Sequence, residues 1–151
     1  MKTWIHAAAG AIALITVSVF WLSTATVELF GDAAAVTTVK NCVLAGMAVL
    51  SPAMIVAGAF GFSLGKGWRS PVVARKKRRM RIIAANGLLV LVPSAYLLSS
   101  LADAGHFDTL FTIVQAIELT AGAVNIALLS LNMHDGLSLR RKPLRLAARV
   151  R

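Results

Sequence analysis

The chain has 151 residues, 58% hydrophobic and 15% charged, with 16 Lys and Arg against 6 Asp and Glu for a net charge of +10. Soluble domains carry roughly 45–50% apolar and about 25% charged residues, so the composition excludes an ordinary soluble domain. The apolar content also excludes disorder, and the single cysteine, Cys42, excludes a disulfide framework and a cysteine-based zinc site.

Crossing a bilayer takes about 20 apolar residues. Four such runs occur, at about 4–25, 42–64, 82–101 and 110–133, and none contains Lys or Arg. They are apolar all round, whereas a soluble bundle shows polar outer faces. The predicted fold is therefore an all-α membrane protein, four transmembrane helices in an up-down-up-down bundle. Residues 1–136 form the membrane domain, and 137–151 a basic tail suited to an amphipathic helix lying on the membrane.

The first span begins behind Lys2. Ser23-Thr24-Ala25 would suit cleavage of a signal peptide, but the apolar stretch exceeds the usual core of about 7–15 residues. It is read as a span, with Trp21 as an interfacial anchor. Lys40 stands just before the second span and is placed too shallow to reach mid-membrane directly, although it can snorkel toward Glu28 or Asp108. Within that span, Ala53, Ala57 and Gly61 repeat at four residues, a pattern for close helix approach within the bundle or in a homodimer. Pro52 and, in the third span, Pro93 free backbone carbonyls, and such bends border cavities.

Between the second and third spans lies a basic loop, 65–81, containing Arg75-Lys76-Lys77-Arg78-Arg79. Lys2, this loop with Lys66, Arg69 and Arg81, and the tail with Arg140, Arg141, Lys142, Arg145, Arg149 and Arg151 place 15 of 16 basic residues on one side. The positive-inside rule puts that side, and both termini, in the cytoplasm. Arg78, Arg79 and Arg81 are candidate contacts for anions or anionic lipid headgroups. The partners expected are the bilayer, those headgroups, and further copies or a larger membrane complex; nucleic acid is not among them. Short loops suggest a bacterial inner membrane.

The fourth span carries the chemistry. Asp108, Gln115, Glu118, Asn125 and Asn132 follow at steps of seven, three, seven and seven. These steps keep one helical face in line, so the residues form a polar seam that must face protein. A carboxyl at the depth of Glu118 costs a few kcal/mol and must be paired, protonated or wetted. Asn86, Ser94 and Tyr96 in the third span are candidate neighbours. The seam is read either as polar glue between helices or as a proton, ion or ligand site.

His6 and His134 both fall at the cytoplasmic ends of spans that can be neighbours. They are candidate axial ligands for a haem b, with Met80 or Met133 as substitutes and arginines at the level of the propionates. His106 lies on the other side and has no assigned role. No nucleophile with a base, HExxH motif or phosphate loop is found, so a membrane enzyme is kept only as the last of four readings. The leading reading is a non-catalytic subunit of a membrane complex. The alternatives are a b-haem or quinone-type electron-transfer protein and a small proton- or ion-coupled transporter centred on Glu118.

Overall fold

In a computed structural model, which describes residues 2–64 and 71–147, the chain is helical almost throughout. The helices are α1 (Lys2–Phe30), α2 (Ala33–Leu64), α3 (Pro71–Asn86), α4 (Val92–Asp103) and α5 (Thr109–Ala147), with a π-helical turn at Gly87–Leu91 joining α3 to α4. Four segments among the described residues are long and apolar enough to cross a membrane: Trp4–Phe30, Ala33–Ala59, Pro71–Asp103 and Thr109–Ser138. The four predicted runs lie within these helices.

The helices extend well beyond the runs. An aspartate caps two of the starts. Asp32 Oδ1 accepts from Ala35 N at 2.8 Å, opening α2 nine residues before the predicted boundary at 42. Asp108 Oδ1 accepts from Leu110 N and Phe111 N at 3.0 and 3.1 Å, opening α5. Each cap satisfies N–H groups that the first helical turn leaves without partners. At the other end of this second hairpin, Gly105 (φ 71°) takes the left-handed conformation that ends α4, with His106 N bonded to Leu101 O at 2.9 Å.

The predicted basic loop is mostly helix. Residues 71–81 belong to α3, since Arg, Lys and Met are good helix formers. Lys66, Arg69, Arg149 and Arg151 lie outside the described residues. The tail continues α5 without a break as far as Ala147. The π-helical turn sits directly before Pro93, whose ring clashes with the carbonyl four residues back, and a wider turn there accommodates it.

Contacts fix the arrangement. α1 packs on α2 and α5, α2 on α4, and α3 and α4 on α5. Phe20 of α1 covers Gly46 of α2 so closely that a side chain at Gly46 would collide with its ring. Two apolar clusters form the core. Val36, Leu98, Ala102 and Phe111 pack near the two short turns. Val17, Ile83 and Leu129 pack further toward the basic residues. Ala57 is buried and faces α1, so its place in the small-residue pattern serves packing within the bundle. The outer surface carries exposed apolar residues such as Ile15, Leu22, Ile55, Leu88 and Ile113, as expected of faces that meet lipid.

Candidate functional site

The seam is real as a buried face. Gln115, Glu118, Asn125 and Asn132 are all buried on α5, spaced as the sequence predicts. Asp108 is not part of it: exposed, it is spent on capping α5.

The centre of the site is an ion pair. Lys40 Nζ donates to Glu118 Oε2 at 2.7 Å, with side-chain exposures of 0% and 10%. This corrects the shallow placement of Lys40. Its depth follows from where α2 starts. Lys40 is seven residues into α2 and Glu118 nine into α5, about 10 and 14 Å from their helix starts at 1.5 Å per residue. The lysine stem spans the remaining difference. Of the three ways to carry a carboxyl at this depth, the structure uses pairing.

Beside the pair lies a cavity of about 30 Å³, lined by Thr24, Trp21, Met47, Leu91 and Gly122 as well as Glu118. That is room for a water molecule or two. It adjoins Leu91 at the end of the π-helical turn, the place where the bend at Pro93 was expected to border a cavity. Trp21 turns toward α5: its Nε1 donates to Leu119 O at 2.8 Å and its ring closes on Gly122. Ser94 is buried, whereas Tyr96 points outward with 66% exposure and is not a neighbour of Glu118.

Other seam residues pair across helices. Asn86 Nδ2 donates to Asn125 Oδ1 and to Ala121 O, both at 2.9 Å. Asn41 Nδ2 donates to Asp103 Oδ1 at 2.7 Å and its Oδ1 accepts from Ser99, tying α2 to α4. This second polar cluster went unread in the sequence, because Asn41 and Asp103 fall at the run boundaries. The amides of Gln115 and Asn132 are buried with no hydrogen-bond partner among the described residues.

At the basic end the structure draws different contacts from those predicted. Arg79 Nη1 binds Asp135 Oδ2 at 2.8 Å instead of standing free, while Arg78 and Arg81 are exposed. Lys76 lies against Gly136 of α5. His6 Nδ1 donates to Ala57 O at 3.0 Å, which leaves Nε2 as its free ring nitrogen. The His134 side chain is 83% exposed and lies 3.9 Å from Asp135. Their recorded polar partners differ, Ala57 for His6 and Asp135 for His134. Among the described residues, no group of three or more His, Cys, Asp or Glu is placed to hold a metal ion.

Set against known protein families, curated proteins and solved structures, the chain matches none.

Proposed function

We propose that the protein is a non-catalytic subunit of a membrane complex, an up-down-up-down bundle with both termini on the cytoplasmic side of a bacterial inner membrane. The observation that carries this reading is how the seam's polar groups are used. Lys40 is spent on Glu118 and Asn86 on Asn125, each joining a different helix to α5. Interhelical polar contacts of this kind hold membrane bundles in one arrangement, while the apolar outer faces are left for lipid and for other chains. A buried ion pair adds little net stability over apolar residues but is costly to mismatch, so it specifies which helices meet.

The test is native electrophoresis of the membranes in which the chain is naturally made, solubilised in a mild detergent. The expected result is a discrete assembly larger than the single chain that survives purification. A chain that migrates alone and moves a solute across liposomes by itself would overturn the reading. It would favour the transporter, which the cavity beside Glu118 supports.

A further inference from the structure

On α5, Asn125, Leu129, Asn132 and Gly136 follow at steps of four, three and four, which keeps them on one face. Three of them meet α3. Asn125 bonds Asn86, Leu129 packs in one cluster with Ile83, and a Cβ at Gly136 would stand 3.0 Å from Lys76 Nζ. Asn132 falls between the last two of these contacts, so its side chain also turns to α3. It is 6% exposed, and neither of its amide atoms has a hydrogen-bond partner. A buried amide of this kind is a group that needs a partner. Beside Gly136, Asp135 is taken by Arg79 at 2.8 Å. Lys76 and Arg79 thus stand around one carboxylate, two cations against one anion, a local charge of +1.

Gly136 stands 27 residues past Thr109, about 40 Å from the start of α5 at 1.5 Å per residue. A bilayer is about 40–45 Å thick with its headgroups, so a helix that starts in one headgroup layer brings Gly136 to the other. Met133 and Leu137, on either side of Gly136, are exposed apolar residues at that level. We propose that Lys76, Asn132 and the open backbone at Gly136 bind the phosphodiester of an anionic membrane lipid. The Lys76 ammonium pairs with one phosphate oxygen, and Asn132 Nδ2 donates to another. Side chains one turn apart are about 5–6 Å from each other at Cβ, a gap that one phosphate bridges. Gly136 lets the ammonium lie close to α5, and Arg79 occupies Asp135, so the carboxylate does not compete for Lys76. The lysine is long and flexible, so it can swing aside to admit the phosphate and then close on it. A lipid of net charge −1 neutralises the site, whereas a zwitterionic lipid brings a cation of its own. Met133 and Leu137 are placed to meet the acyl chains, which a free phosphate lacks.

The site lies within one chain, so its test is independent of the subunit reading. The experiment counts lipids bound to the purified full chain by native mass spectrometry, from detergent at about 0.15 M salt, where exposed charges are screened beyond about 8 Å. Phosphatidylglycerol is expected to bind several times more tightly than phosphatidylcholine. Lys76→Gln should weaken phosphatidylglycerol binding about tenfold, the value of a hydrogen bond to a charged group. Asn132→Leu should also weaken it, by less. Arg78→Gln removes the same charge from an exposed position on α3 and should cost only about twofold. Inorganic phosphate at millimolar concentration should not displace the lipid. Equal losses in Lys76→Gln and Arg78→Gln would overturn the proposal, because diffuse attraction would then be enough. Displacement by inorganic phosphate would overturn the lipid as occupant. Neither Lys76 nor Arg78 is buried, so these two variants decide the matter even where Asn132→Leu disturbs the bundle.

Discussion

The ion pairs Lys40–Glu118 and Arg79–Asp135 have nearly the same length, 2.7 and 2.8 Å, and stand in different media. The first is closed from solvent on both sides, at 0% and 10% exposure, and sits about two turns inside the helices. The second keeps 21% and 17% exposure at the end where the basic residues gather. Length alone would rank them together. Solvent ranks them apart, because the energy of breaking a pair is set by what happens to the charge left behind. At the basic end water and neighbouring charges take it up. Between α2 and α5 the surroundings are almost wholly apolar, with room for no more than a water molecule or two beside Glu118.

The largest effect is expected from separating the inner pair. Lys40→Met leaves Glu118 buried without its partner and should cost about 3–5 kcal/mol in reversible unfolding from mixed micelles. The double replacement Lys40→Met with Glu118→Leu should recover most of that loss, since no charge is then stranded. A double variant as unstable as the single one would show that the pair contributes stability directly and not just specificity.

The same contrast extends to two glycines. A Cβ at Gly46 meets the Phe20 ring, which the bundle holds in place, so Gly46→Ala should cost about 1–3 kcal/mol. A Cβ at Gly136 meets only Lys76 Nζ, at 3.0 Å, the far end of a flexible side chain. The lysine can swing aside, and replacing glycine inside a helix should then raise stability by about 0.5–1 kcal/mol. Thermal unfolding of the two variants in one detergent compares them directly. Equal losses would mean that the basic end is packed as rigidly as the centre.

The contrast also separates what the sequence tells from what it hides. The four helices are legible because about 20 apolar residues in a row fit little besides a membrane span. The seam is legible because Gln115, Glu118, Asn125 and Asn132 repeat at helical spacing. Helix ends are not, since hydropathy marks only the part of a helix that resembles lipid. Ala33–Thr38 is too weakly apolar to extend the second run and Lys40 interrupts it, yet Asp32 starts α2 there. Thus Lys40, the one basic residue on its side, is the signal that could have found the pair, and its depth follows from the cap. The run Arg75–Arg79 is misread as loop for the same reason: charge hides a helix from hydropathy but does not prevent one. Trp21 is hidden differently, since nothing in its neighbours tells an inward indole from an interfacial one.

The smallest effect belongs to the outer pair, and its sensitivity to salt matters more than its size. Asp135→Asn removes the carboxylate that binds Arg79 but keeps the shape, and Arg79 can then turn to water. The expected loss is about 0.5 kcal/mol, in the range of exposed pairs. Exposed charges are screened over about 10 Å at 0.1 M salt and over about 3 Å at 1 M. The gap between wild type and Asp135→Asn should therefore narrow between low salt and 1 M, while the gap caused by Lys40→Met should not change. If salt narrows both gaps equally, ions reach the Lys40–Glu118 pair, and the bundle interior is open to water.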